Sequence, residues 1–236
     1  MAVIAVVLAI GVAAAWIHWT RASAAGVSNV ARATPENEGL NILERPIPFG
    51  AKRQELTLEY IRTHYNPGAT DIVIDPRVIV IHWTGSFHAA FTFAAFYPEA
   101  LPFWRRDIQR GGRVNVSAHF LIDRDGTTFR LMPEDWMARH VIGLNPVAIG
   151  IENVGGPTHP LTDTQLRSNA RLVRYLVTKN RGIQFLIGHH EYGRFRGTTL
   201  WKERDPTYFT GKQDPGPDFM ARLRAEVKDL SLAASA

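Results

Sequence analysis

The segment Val78-Ile79-Val80-Ile81-His82-Trp83-Thr84-Gly85 follows Pro76 and opens with four consecutive apolar residues. A continuous apolar run, without polar alternation, is expected of a strand buried on both faces. Strands of that kind belong to sheets that carry covering layers on both sides. The run ends in a histidine and then a loop, and the loop end of a strand is where α/β sheets place their sites.

The neighbouring sequence extends the same pattern. Val116 to Ile122 and Thr127 to Met132 flank Asp123-Arg124-Asp125-Gly126, whose Asp-Gly pair marks a hairpin turn. Val147 to Val154 reads as another apolar strand, stopped by Gly155-Gly156. Thr162 to Asn180 reads as a helix: Thr162 and Gln165 form a capping box, Leu166, Ala170, Val173 and Val177 share a face, and Gly182 ends it. Phe185 to Ile187 is a short strand and Pro217 to Leu230 a closing helix. A short helix is expected over Leu56 to His64, with Thr57 as N-cap. The pattern predicts an α/β protein with a mixed central β-sheet flanked by helices.

Composition narrows the chemistry. The 236 residues are 45% hydrophobic and 21% charged, a normal globular balance. With no cysteine, disulfides, thiolate nucleophiles and thiolate metal ligands are excluded. Any metal must be held by His, Asp or Glu. The net charge of +5 favours anionic surfaces, but the basic residues are scattered and no nucleic-acid-binding signature is present.

Residues Met1 to Ile17 carry no charged side chain. A membrane-spanning helix needs roughly 17–25 apolar residues, and a secretory signal core is shorter, roughly 7–15. Both an uncleaved anchor and a cleaved signal are open. Trp16 and Trp19 suit an interfacial belt, whereas Ala22-Ser23-Ala24 has the small-residue pattern of a cleavage site. Arg21 follows the apolar run and no Lys or Arg precedes it, which read literally would keep the body cytoplasmic. Residues 1–20 are therefore expected to be an N-terminal hydrophobic helix acting as signal or anchor, 21–50 a linker, and 51–230 the catalytic domain.

Three segments supply candidate ligands among nine histidines: His82 at its strand end, His189-His190 after Gly188 at another, and Asp214 in Lys212-Gln213-Asp214-Pro215-Gly216-Pro217, which opens a helix. Two imidazoles and one carboxylate suit zinc, with solvent in the fourth position. Zinc lowers that water's pKa to about 7. A hydrolase also needs a base and an oxyanion stabiliser. Glu152, alone among apolar neighbours in its strand, is the candidate base, and Lys212 can reach the same pocket. The competing readings are a surface salt bridge for Glu152 and a helix cap for Asp214.

The pieces Val80-Ile81-His82-Trp83-Thr84, Val116 to Gly126, Ile149-Gly150-Ile151-Glu152, Gly188-His189 and Lys212 to Gly216 occur in an order that resembles the type-2 N-acetylmuramoyl-L-alanine amidases. Their fold is shared with peptidoglycan recognition proteins. The resemblance implies zinc held by His82, His189 and Asp214, with His190 as the alternative ligand. It implies Glu152 as base, Lys212 as oxyanion stabiliser, and His140 and Asn145 in the substrate groove. Some relatives carry a Tyr where this chain has Ala118, which leaves the burden on Glu152. The implied activity is hydrolysis of the bond between N-acetylmuramic acid and L-alanine in peptidoglycan or muropeptides. That expectation places the protein in the bacterial envelope, in the periplasm or on the outer face of the membrane, and tied to the membrane if residues 1–20 are retained. The alternatives are a non-catalytic peptidoglycan-binding protein and a zinc amidohydrolase with another amide substrate. The aromatic stretch Phe87 to Arg113 and the long gap between His190 and Lys212 are departures from the family pattern. The first is expected to be a helix burying its own apolar face, or else a lid over the glycan or a membrane contact.

Overall fold

The computed structural model describes residues 39–106 and 108–236. The segments read as signal or anchor, and most of the linker, lie outside them. Among the described residues no helix is long and apolar enough to cross a membrane.

The six strands are β1 (Ile42–Glu44), β2 (Val78–Trp83), β3 (Phe120–Ile122), β4 (Thr128–Arg130), β5 (Ala148–Asn153) and β6 (Phe185–Gly188). They form one sheet in the order β1-β4-β3-β5-β2-β6. Only the β3–β4 hairpin is antiparallel; the other four pairings are parallel, so the sheet is mixed as expected. In the hairpin loop Gly126 has φ +88°, and an added Cβ would lie 2.7 Å from Ser168 Oγ, so both backbone and space demand glycine. Ile42–Glu44, within the 21–50 stretch, pair with Thr128–Arg130 at the edge of the sheet. Three residues are too few to show a periodicity, which is why composition alone made them look like linker.

Among the described residues four α-helices accompany the sheet: α1 (Ala51–His64), α2 (Ala89–Phe96), α3 (Asp163–Lys179) and α4 (Pro217–Glu226). Helix α1 starts five residues earlier than the sequence suggested, with Gly50 as N-cap. Lys52, Arg53, Gln54 and Glu55 are good helix formers and extend it backwards. Thr57 is no cap; its hydroxyl donates to the Arg53 carbonyl at 2.7 Å. The capping box of α3 is present: Gln165 N–H donates to Thr162 Oγ1, and Thr162 N–H to Gln165 Oε1. Gln165 Nε2 also donates to the Val154 and Ile122 carbonyls, tying the helix start to two strand ends.

Side-chain alternation divides the sheet into two faces. Ile79, Ile81, Ile149, Ile151, Phe120, Ile122 and Leu186 pack against α3 and α4 through Leu172, Val173, Leu176, Met220 and Leu223. Val78, Val80, Ala148 and Ile187 face the other way, against Val141, Leu144, Tyr192 and Phe195. This second layer comes from loops and a 3-10 segment, His189–Phe195, rather than from α-helices. Each fully buried aliphatic side chain contributes about 1.5–3 kcal/mol, so the four of Val78–Ile81, all at 0% exposure, anchor both layers to β2. The aromatic stretch is only partly helical. Helix α2 buries Ala89, Thr92 and Phe96, but Phe87, Phe91, Tyr97, Phe103 and Trp104 remain exposed.

Candidate metal centre

The same alternation builds the site. His82 continues the Val78, Val80 side of β2, and Glu152 the Ala148, Gly150 side of β5. The two strands pair in register with His82 opposite Glu152, which sets their backbones about 4.8 Å apart. His189 follows directly on β6, one alternation beyond Ile187. All three therefore stand on the face opposite α3 and α4.

The loop before α4 brings in the carboxylate. Asp214 is not a cap: the N-cap of α4 is Gly216, without any side-chain capping bond. Its carbonyl instead accepts from His190 N–H at 2.9 Å and from His190 Nδ1 at 3.0 Å. His190 thus faces backbone rather than the cluster, and serves to fix Asp214.

His82, His189 and Asp214 each present one ligand atom, all within 4.8 Å of one another. His82 Nδ1 lies 2.9 Å from His189 Nδ1 and 3.2 Å from Asp214 Oδ2, and His189 Nδ1 lies 3.1 Å from the same oxygen. Zinc bonds of about 2.0–2.1 Å in a tetrahedron would space three ligand atoms roughly 3.3 Å apart. The donor set and its spacing fit such an ion, and the residues can hold a metal.

The electrostatics set Glu152 apart from the His82, His189 and Asp214 cluster. Burial pushes the His189 imidazole down to about 4, assisted by the adjacent His82, so the ring is neutral and has a lone pair to offer. Burial alone would raise the Asp214 carboxyl, but hydrogen bonds from His189 and His82 outweigh it and hold the group well below the usual carboxylate range. Glu152 goes the opposite way. Its burial, opposed by His82 and reinforced by Asp214, raises it to about 7. Glu152 Oε2 is buried without a hydrogen-bond partner. The salt-bridge reading of Glu152 therefore fails, since no ion pair satisfies it among the described residues.

A cleft opens beside the cluster, lined by Lys212, His189, His140 and Asn145. Lys212 is exposed at its rim. The polar atoms of His140 and Asn145 are engaged within the protein. Asn145 Oδ1 accepts from the His140 and Val141 N–H groups, and its Nδ2 donates to Tyr65 Oη. His140 Nδ1 faces His82 Nε2 at 3.0 Å. The cleft's other walls were not anticipated: Tyr60, Ile108, Arg139, Tyr208 and Thr210 also line it. Tyr60 looks like an ordinary member of the buried stripe of α1. Among these wall residues Arg139, at 4% exposure, is unusually buried for its type. It binds the Val114 and Ile108 carbonyls at 2.6 Å each, a use no local pattern reveals.

Two imidazoles at strand ends and a loop carboxylate thus meet as a group that could hold a metal ion, with the buried, unpartnered Oε2 of Glu152 on the adjoining strand. Residues 73–217 match the family model described as N-acetylmuramoyl-L-alanine amidase, and the chain belongs to that family. It is 31% identical over 176 residues to the 1,6-anhydro-N-acetylmuramyl-L-alanine amidase AmpD of Citrobacter freundii, covering 66% of this chain and 83% of that protein. Among solved structures, a selenomethionine AmpD derivative superposes with TM-score 0.51 at 26% identity, covering 78% of this chain and 93% of the other. The N-acetylmuramoyl-L-alanine amidase LysC of Clostridium intestinale URNW shares the fold, with TM-score 0.52 at 22% identity over 80% of this chain and 97% of that one. The chain is accordingly an amidase of this family.

Proposed function

We propose that the protein hydrolyses the amide bond between N-acetylmuramic acid and L-alanine in peptidoglycan or its muropeptide fragments, with zinc held by His82, His189 and Asp214. The observation that carries this reading is the convergence of those three ligand atoms on the sheet face that also presents Glu152. Family membership and the AmpD relative support the choice of bond. A bound zinc would supply a Lewis acid and bring the pKa of its water to about 7.

The protein's own residues do the rest. Glu152 accepts a proton from the attacking water and returns it to the amide nitrogen as that bond breaks. Lys212, at the cleft rim, donates to the oxyanion that develops on the carbonyl oxygen. Asp214 remains ionised throughout as a ligand.

The proposal includes export to the bacterial envelope, with the uncharged Met1 to Ile17 segment as signal or anchor. The support is the presence of the wall substrate there and the apolarity of that segment.

The test is incubation of purified protein with muropeptides, following the appearance of a free L-alanine amino terminus, together with zinc content. Release that is lost with the metal in Asp214→Ala supports the proposal. Tight muropeptide binding without cleavage would replace it with a binding role. Turnover of a different amide would replace the substrate.

A further inference from the structure

We infer that His140 is a positioning residue for the metal centre, a neutral ring with bare Nδ1 and protonated Nε2 that accepts the Nε2–H of His82. This rests on the proposed metal at His82, His189 and Asp214.

The argument follows the protons. His82 Nδ1 is the atom in the cluster, 2.9 Å from His189 Nδ1 and 3.2 Å from Asp214 Oδ2. A nitrogen that ligates a metal carries no proton, so a neutral His82 carries its proton on Nε2. That nitrogen lies 3.0 Å from His140 Nδ1. The contact is a hydrogen bond only if His140 Nδ1 is bare. The remaining proton of His140 then sits on Nε2, which lies 3.3 Å from the Ala148 carbonyl, an obligate acceptor. One premise thus assigns every proton, and each has an acceptor. The opposite tautomer of His140 would set two N–H groups against each other at one end. At the other it would face a bare nitrogen to a carbonyl oxygen.

The slot around the ring is built for this orientation. A Cβ on Gly150 would lie 2.8 Å from His140 Cγ and Nδ1, so the ring packs directly on backbone. Asn145 Oδ1 accepts the His140 N–H at 2.9 Å. The His119 ring stands edge-on with its centroid 5.9 Å away. His119 is itself locked, with Nε2 at 2.9 Å from the Trp136 carbonyl and Nδ1 accepting from Gly150 N–H at 3.0 Å. Metal-bound histidines commonly donate their second N–H to a carboxylate, carbonyl or water. A neutral imidazole in that place orients His82 without adding negative charge beside the ion.

Two measurements decide the matter. Long-range proton–nitrogen correlation spectra of the zinc-loaded protein should show His140 protonated at Nε2 and His82 also at Nε2. Chelator competition should show zinc binding weakened roughly 10- to 100-fold in His140→Ala. It should be largely restored in His140→Asn, whose Oδ1 can replace Nδ1 as acceptor. A His140 proton on Nδ1, or a His140→Ala affinity equal to that of the parent, overturns the inference while leaving the metal centre standing. If the parent binds no zinc, or His189→Ala binds it equally well, the metal reading falls and takes this inference with it. Should His140→Ala fail to fold, the spectra of the parent alone still decide.

Discussion

Replacing Glu152 with glutamine is expected to stabilise the metal-free protein while removing its activity, because one buried carboxylate is responsible for both. Burial raises the Glu152 carboxyl from its ordinary 4.5 to about 7. In the unfolded chain the proton leaves near 4.5; in the folded protein it stays until about 7. Between those values the folded state binds more protons, so stability falls as pH rises through the window. Above pH 7 the parent carries a cost of roughly 3 kcal/mol that neutral glutamine lacks. Below 4.5 both states hold the proton and the difference vanishes.

The assay is urea denaturation of parent and Glu152→Gln, with chelator present, at pH 5 and pH 8. A bound cation would itself favour the carboxylate, so the metal must be absent. At pH 8 the variant's midpoint should exceed the parent's by about 1–1.5 M urea, and at pH 5 the gap should shrink to about a quarter of that. His189 titrates in the opposite sense: held down to about 4, it loses stability for the fold as pH falls from 6.5. It is common to both proteins, and the comparison cancels it. With zinc restored, turnover of the variant should fall roughly 10²- to 10⁴-fold at unchanged zinc content. Equal gaps at the two pH values would refute the buried-carboxylate account, and retained turnover would refute the role as base.

Asp214→Ala should abolish stoichiometric zinc binding, and turnover with it, since two imidazoles are left without the third ligand; elemental analysis after dialysis reads this directly. Lys212→Ala should lower kcat by roughly 10²- to 10³-fold with zinc content kept. Because Lys212 is exposed, its thermal midpoint should barely move. Gly111→Ala places a Cβ 1.9 Å from Tyr208 Oη and 2.5 Å from Arg139 Nη2. Such overpacking costs about 1–3 kcal/mol, and because Tyr208 lines the cleft, KM should rise while zinc content stays at the parent's value.

What could be read from the chain follows the range of the forces involved. The apolar run Val78–Ile81 announces a two-faced strand because burial on both sides leaves no polar position to hide. Thr162 and Gln165 announce a helix start because capping is a local bargain among four residues. The His82–Glu152 partnership is different. It depends on β2 and β5 pairing in one register, and a shift of one residue would send Glu152 to the helical face. Nothing in either strand alone carries that information. The family resemblance supplied the grouping of His82, His189 and Asp214 where spacing along the chain was silent. His190, adjacent to His189, stood as the runner-up ligand until the direction of its ring toward the Asp214 carbonyl was known. The short β1 and the cleft walls at Tyr60, Arg139 and Tyr208 stayed hidden because each is defined by partners far away in sequence.

The arrangement separates two tasks in a way the sheet itself imposes. The candidate site residues His82, Glu152 and His189 stand on or directly after strands whose backbones are locked by parallel pairing, so their spacing is inherited from the sheet. The facing wall comes from two irregular stretches, and irregular chain holds a shape only if its ends are fastened. Here the fastening is mutual. Arg110 in the first stretch reaches Asp205 at 3.1 Å and also Thr207 in the second. His64, at the end of α1, lies between them, with Nδ1 3.1 Å from Glu203 and Nε2 3.2 Å from the Gly111 carbonyl. Arg139 joins Ile108 to Tyr208 from beneath. A wall interlocked in this way can vary in sequence without moving the metal ligands, because none of its ties runs through His82, His189 or Asp214. On the proposed function, the wall is thus free to vary with the substrate while the sheet keeps the spacing of the candidate ligands and Glu152.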